Sequence, residues 1–341
     1  MIKFSRLLLA ATLVGINVAS HAQNVSSPYQ VGTWWGFRDA AVSYTFDDNC
    51  SNQLPIAVPM FDSLGLKLTL FAVTNWSPNW NGLTIAASHG HEIGDHTVSH
   101  PRIDTMTAEQ QKREVITALR LINAKIPAQK CISLAYPFCV GVSDSLWAPY
   151  FVAARACQGI INPSTPPNFM KISSIVCGNT GSIRTAKSFQ IKADSVALLK
   201  GWLVYLVHGI DYDDGCCQLS SGELRAGLQY LVANKQKFWV SAFGTVARYI
   251  KERNSLSVTE TSNRDTSITL QAVDTLDNAI YTVPVTIRRP LPTGWESATA
   301  TQNGAAINVS VVKVESTSYI MFDVVPNGGE IQLTEVTTPP N

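Results

Sequence analysis

The sequence predicts an α/β domain on a parallel sheet closed, or nearly closed, into a barrel, followed by a small all-β sandwich. Two observations carry this. Between residues 41 and 253, strand-like and helix-like segments alternate. The strands are continuous apolar runs, as expected of strands buried on both faces. After Asn254 the composition changes: Thr, Val and Ser dominate with a period of two, as in Ser267-Ile268-Thr269-Leu270 and Asn308-Val309-Ser310-Val311. Turn signals at Asn303-Gly304 and Pro326-Asn327-Gly328-Gly329 divide those runs.

Taken in order, residues 1–22 read as an export leader. Lys3 and Arg6 precede the apolar run from Leu7 to Val14, and Ser20-His21-Ala22 offers small residues where a signal peptidase reads. Cleavage is expected after Ala22, with the mature chain secreted or periplasmic. The run is too short to span a bilayer, and no later segment reaches the roughly 20 apolar residues needed. Val42 to Phe46 reads as a strand, Asn52 to Leu64 as a helix with prolines near its start, and Lys67 to Val73 as a strand. Thr107-Ala108-Glu109-Gln110 is a capping box opening a helix with Val115, Ile116, Leu119 and Ile122 at apolar positions. Cys131 to Tyr136 reads as a strand, Asp144 to Ala156 as a helix and Trp202 to Val207 as a strongly apolar strand. Ser220-Ser221-Gly222-Glu223 starts a helix carrying Leu224, Leu228 and Leu231; Phe238 to Ala242 is the last strand and Gly244 to Arg253 the last helix. The expected division is therefore 23–254 for the α/β domain, 255–336 for the sandwich and 337–341 for a disordered tail. Trp34-Trp35 read as core or domain-contact residues.

Net charge is +1 and 15% of residues are charged. No basic face is available to hold phosphates, so nucleic acid and anionic membranes are set aside as partners, and a monomer is expected. The seven cysteines include no CxxC pair, which gives a zinc finger little support. In an oxidising compartment they would form disulfides, with at least one thiol left over from the odd count. Their pairing does not follow from sequence; a Cys50–Cys139 bridge is one possibility, since both lie beside candidate site residues.

The chemistry concentrates in a few positions. Asp47-Asp48 ends the first apolar run, and His96 and His100 stand four apart, the spacing that places side chains on one face of a helical turn. One Asp and two His suit a divalent transition metal with positions left open for water and substrate, and the other Asp is free to act as a base. In parallel α/β barrels the chemistry sits at the carboxyl ends of strands, where Asp47-Asp48, Pro137-Phe138 and His208 all fall. His208 is placed to donate a proton near neutral pH. Asp211, Asp213 and Asp214 follow it, with Asp211 the first choice to orient the ring. His89 and His91 are read as structural. Trp76 and Trp80, in a loop rich in Pro and Asn, offer faces on which sugars stack. The pattern points to a metal-dependent hydrolase.

Thr45-Phe46-Asp47-Asp48, His96-Thr97-Val98-Ser99-His100 and Leu206-Val207-His208 resemble motifs one, two and five of the polysaccharide deacetylases, carbohydrate esterase family 4. Gly90-His91-Glu92-Ile93-Gly94 is similar to that family as well, and the likeness runs over residues 40–250. The resemblance implies a distorted (β/α) barrel of about seven strands. It implies Asp48, His96 and His100 as ligands of one divalent ion, zinc with cobalt or nickel as alternatives. It further implies Asp47 as general base, His208 as general acid, and Leu206 lining the pocket for the acetyl methyl group. Ala135-Tyr136-Pro137-Phe138-Cys139 matches the third motif at Pro137 and Phe138, which makes the Phe138 N–H the oxyanion donor. The family's Arg is replaced there by Ala135 and its Gly by Cys139. The fourth motif, Asp-x-x-Asp-Trp, is missing, since no Asp lies between Gln158 and Thr180. Asp47 is thus expected to lack the family's cation, and His208 to need another partner.

The activity expected is removal of acetyl groups from a polysaccharide, with O-acetyl esters of a hemicellulose such as xylan placed first. N-acetyl groups of chitin or peptidoglycan are the alternative substrates. A non-catalytic carbohydrate-binding protein on a retired barrel is the rival from another class.

Overall fold

The computed structural model describes residues 24–26, 28–141 and 143–336. The expected leader and tail lie outside the described residues. The strands are β1 (Asn24–Val25), β2 (Gln30–Val31), β3 (Ala40–Asp47), β4 (Thr69–Ala72), β5 (Glu92–Asp95), β6 (Ser133–Ala135), β7 (Ala153–Arg155), β8 (Ile175–Val176), β9 (Trp202–Val207) and β10 (Phe238–Val240). Around them run α1 (Val58–Ser63), α2 (Trp80–Ser88), α3 (Ala108–Lys125), α4 (Asp144–Trp147), α5 (Ala186–Leu199), α6 (Ser221–Ala233) and α7 (Phe243–Ser255). The remaining strands are β11 (Ser257–Arg264), β12 (Ser267–Val273), β13 (Val285–Pro290), β14 (Ala298–Gln302), β15 (Ala305–Ala306), β16 (Val309–Val314), β17 (Thr317–Val324) and β18 (Ile331–Glu335).

One sheet runs β7-β6-β5-β4-β3-β9-β8, with β10 added beside the first half of β3. Every pairing in it is parallel. It curls into the distorted (β/α) barrel expected. All eight residues of β3 are buried, because the strand is covered on both faces. Ala40, Val42, Tyr44 and Phe46 join the outer core with the helices, while Ala41 joins the inner core. Strand β9 divides the same way: Leu203, Tyr205 and Val207 lie outward, Trp202 and Val204 inward. With a side-chain period of two, Asp47 shares the inner face with Ala41, and Leu206 and His208 share it with Val204. Each buried Leu, Val or Phe contributes about 1.5–3 kcal/mol by leaving water, so this alternation settles the register.

Helix α7 packs into the inner core through Phe243, Val246, Ala247 and Ile250. Phe243 packs edge-on against Phe71, 5.9 Å between centroids, and tilted against Trp202 at 5.1 Å. The Phe243 N–H donates to Thr69 Oγ1 at 2.8 Å and the Gly244 N–H to Glu92 Oε2 at 2.7 Å. The same core continues into the C-terminal strands through Val258, Leu270, Ile287, Phe322 and Leu333. Those strands form two sheets, β1-β11-β12-β18-β14-β15 and β16-β17-β13-β2. Trp34 is fully buried with its indole N–H on the Lys200 carbonyl at 3.1 Å, and Trp35 donates to Asp323 at 3.1 Å. This is the contact role read for the pair.

Residues 24–31 pair with the C-terminal strands, β1 parallel to β11 and β2 antiparallel to β13. Two-residue strands carry no periodicity of their own, so nothing local announces them. Two expectations are corrected. The helix expected over 144–156 ends at Trp147, and Ala153-Ala154-Arg155 is strand β7. Its alanines favour a helix, and burial beside β6 overrides that preference. His96 to His100 is not a helical turn but an irregular loop with Thr97 and His100 at φ 69° and 57°.

Candidate metal centre and active site

Because the sheet is parallel, the strand ends deliver their loops to one rim. Asp47 is the last residue of β3, and the chain then turns through Asp48 and Asn49 at φ 73° and 54°. Asp and Asn tolerate this left-handed region better than most residues. The Asn49 side chain donates to the Val73 carbonyl at 2.8 Å, tying the turn to the end of β4. Gln53 donates to the carbonyls of Asp47 at 2.5 Å and His208 at 3.2 Å, so one amide holds the ends of β3 and β9 together.

The His96–His100 loop is held by carboxylates rather than by a helix. Asp95 Oδ1 accepts from the Thr97 N–H at 2.6 Å. Glu114, on α3, accepts from the N–H groups of Val98 at 3.1 Å and Ser99 at 2.9 Å. Thr97 Oγ1 accepts from the His100 N–H at 3.0 Å.

These supports bring Asp48, His96 and His100 together. Asp48 Oδ1 lies 3.4 Å from His96 Nε2 and 3.5 Å from His100 Nε2. One ligand atom of each lies within 4.8 Å of the other two. Two ligands bound to zinc at about 2.0–2.2 Å with tetrahedral angles stand roughly 3.3–3.6 Å apart, so the spacing fits such an ion. His96 Nδ1 lies 2.8 Å from the Ala135 carbonyl, which can only accept, so the ring carries its proton there and turns the Nε2 lone pair to Asp48. Asp48 Oδ1 is buried without a hydrogen-bond partner among the described residues. Asp48, His96 and His100 could together hold one cation.

The electrostatics agree. Burial opposes ionisation of Asp48, yet the neighbouring imidazoles of His96, His208 and His100 hold its carboxyl down at about 2. Burial of the His96 ring is outweighed by Asp47 and Asp48, which raise its pKa. The field here favours positive charge, and a divalent ion meets the same demand.

Asp47 has the cation it was expected to lack. Arg155, on β7 and 1% exposed, ion-pairs Asp47 Oδ2 and also donates to Ser174 Oγ at 3.1 Å. Its register partner on β6 is Ala135, the position where the family's Arg is missing. The guanidinium thus reaches Asp47 from the adjacent strand. The second Asp47 oxygen is buried and unpartnered among the described residues, leaving an acceptor free. Cys139 has a structural reason as well. It forms a disulfide with Cys157, Cα–Cα 5.4 Å, which pins the third-motif loop to the chain just after Arg155. The Cys50–Cys139 pairing is therefore corrected; Cys50 is a buried thiol donating to the Asp47 carbonyl at 3.5 Å.

His208 stands at the end of β9 with Nε2 3.8 Å from Asp48 Oδ2, and burial lowers its pKa. The expected partner is corrected: Asp211 accepts from the Ser221 N–H at 2.8 Å, at the start of α6. Asp213 accepts from the Asn52 and Gly215 N–H groups at 3.1 and 2.9 Å, and Asp214 from the Ser51 N–H at 2.8 Å. These acids lock the loop after His208 and do not orient its ring. His208 Nδ1 is buried without a partner among the described residues.

The rim is aromatic. Trp76 and Phe138 are 46% and 56% exposed and contact the His100 ring, at 5.1 and 4.7 Å between centroids. Pro137 is buried and Phe138 adopts φ 55°. Trp80 is removed from the sugar-facing set, because it opens α2 and packs against the outer core. A cleft of about 550 Å³ opens beside the turn, lined by Asn49, Ser51, Pro78 and Asn79 among others. His89 and His91 both bind Asp62, at 2.6 and 3.1 Å, in the structural role read for them.

Comparison with known proteins agrees with this geometry. The polysaccharide deacetylase family model matches residues 36–147. A gellan lyase from Bacillus sp is 26% identical over 332 residues, 91% of this chain and 13% of that protein. A chitin deacetylase from Pestalotiopsis sp is 31% identical over 129 residues, 35% of this chain and 43% of that protein. The chain thus spans less than half the length of either relative. The crystal structure of a putative polysaccharide deacetylase from Mycobacterium smegmatis aligns with a TM-score of 0.53 at 13% identity, covering 69% of this chain and 98% of that one, a likeness of fold.

Proposed function

We propose that the chain, whose residues 36–147 match the polysaccharide deacetylase family, is an exported, divalent-metal-dependent deacetylase of the carbohydrate esterase 4 type hydrolysing O-acetyl esters of a hemicellulose such as xylan. The observation that carries the metal-dependent reading is the convergence of Asp48, His96 and His100 beside an Asp47 paired with Arg155. Zinc is the first choice for that nitrogen and oxygen set, with cobalt or nickel able to replace it. When bound, the ion supplies Lewis acidity toward the acetyl carbonyl and activates water near neutral pH. Asp47 takes the proton of the attacking water through its free oxygen, while Arg155 holds the other. The Phe138 N–H donates to the oxyanion, and His208 gives a proton to the departing sugar oxygen. Leu206 and Pro137 bound the space for the acetyl methyl group, and Trp76 offers a face for a sugar ring.

In this reading residues 255–336 are an accessory unit whose core is continuous with α7. The test is acetate release by the purified mature protein across acetylated xylan, chitin oligosaccharides, peptidoglycan and gellan. Gellan belongs in the panel because the likeness to the gellan lyase runs over nearly the whole chain. Release from xylan alone supports the proposal. Release from chitin or peptidoglycan replaces the substrate, and binding without release on any glycan favours the retired barrel.

A further inference from the structure

The mechanism leaves two thiols beside the proposed acid without a task. After β9 the chain doubles back: the Gly209 N–H donates to the Cys216 carbonyl and the Leu219 N–H to the Gly209 carbonyl, both at 3.0 Å. This return sets Cys216 and Cys217 next to His208. The placement is fixed by close packing. A Cβ at Gly178, which adopts φ +104°, would lie 1.9 Å from the Cys217 carbonyl oxygen, so only glycine admits this approach. Thr180 Oγ1 donates to Cys217 Sγ at 2.9 Å, and the two sulfurs stand 3.3 Å apart. One His208 ring nitrogen lies within 4.8 Å of both. Cys216 is exposed and Cys217 half-buried, so ions reach them from solvent.

We propose that His208, Cys216 and Cys217 form a second metal site, for a thiophilic divalent ion such as zinc or cadmium, whose occupation takes His208 out of catalysis. The donor set is two sulfurs and one imidazole, the combination that soft or borderline ions prefer and magnesium avoids. Two thiolates on a tetrahedral ion stand about 3.8 Å apart, so the sulfurs need to separate by roughly half an ångström. Each thiol passes its proton to solvent as the metal–sulfur bond forms, so loading releases protons and costs no oxidant. An ion on His208 occupies a nitrogen lone pair and its charge disfavours the imidazolium. The ring then cannot deliver a proton. The inhibitory half of this proposal rests on the proposed function; the binding half does not.

The experiment titrates cadmium into the full chain already carrying one zinc equivalent, with Cys216 and Cys217 reduced. Two signals are read: the ultraviolet thiolate-to-cadmium charge-transfer band, and hydrolysis of an acetyl ester. The band should saturate at one added equivalent as hydrolysis falls by about 10²-fold or more, the share a general acid supplies. Cys216→Ser/Cys217→Ser should lose both responses while keeping the starting activity, and magnesium should produce neither. No band, or a band that survives in the double variant, overturns the site. A band with unaltered hydrolysis overturns the coupling to His208. A band in a chain inactive on every acetyl ester keeps the metal site and sinks the proposed function instead.

Discussion

Arg155→Ala should disable the enzyme through Asp47. Both side chains are almost fully buried, and Arg155 binds Asp47 and Ser174 at once. Removing one partner of a buried ion pair leaves the other charge uncompensated, which costs about 3–5 kcal/mol of stability. At roughly 2–4 °C per kcal/mol for a chain approaching this length, the melting temperature should fall by about 6–20 °C. Kinetics separate positioning from folding. Without the guanidinium nothing holds the Asp47 carboxylate in place for the attacking water, so the loss should fall on kcat rather than on metal binding. Below its melting point the variant should lose about 10²-fold or more in kcat, the lower range for a general base. Because Ala135 and Arg155 are register partners, Ala135→Arg/Arg155→Ala places the guanidinium one strand over and should recover part of the rate. An Arg155→Ala enzyme with an unchanged rate would refute the claim that Arg155 serves the base.

His96→Ala or His100→Ala should abolish both tight binding of a divalent ion, read by calorimetry, and hydrolysis; full activity in an exhaustively chelated wild-type sample would sink metal dependence. Asp47→Asn should keep the ion and lose at least about 10²-fold in rate, whereas Asp48→Asn should lose the ion, and an exchange of these behaviours reverses the assignments. Asp211→Ala should weaken the start of α6 by about 0.5–2 kcal/mol in denaturant melts and leave the alkaline limb in place, since the carboxylate holds the Ser221 N–H and not His208. Glu252, buried on α7, has its pKa raised to about 8 by burial despite the Val283 N–H at 2.9 Å. The native state therefore holds a proton that the unfolded chain has released, so stability falls as pH rises from about 4.5 to 8. Glu252→Gln should flatten that slope in melts across this range.

What could be read from the sequence, and what could not, divides by distance along the chain. The barrel announces itself because strands such as Trp202 to Val207 are buried on both faces, and burial writes a continuous apolar run. Asp47, Asp48, His96, His100 and His208 were readable because each lies at, or a few residues past, a strand end, and a parallel sheet gathers those ends whatever the helices between them do. Arg155 was not readable for two reasons. Ala153-Ala154 lends its segment a helical look, and its partner Asp47 lies 108 positions away. Only the β6–β7 pairing shows that Arg155 stands beside Ala135. Asp211 failed in the opposite sense: nearness in sequence suggested a contact with His208, while the loop spent that carboxylate on the first turn of α6. Local pattern therefore locates the ligands, but the guanidinium that pairs the base arrives by strand pairing. A motif that lacks its usual residue can still be complete when a neighbouring strand supplies the same charge. An apparent loss such as Ala135 is evidence of inactivity only after the adjacent strand has been searched for the missing guanidinium.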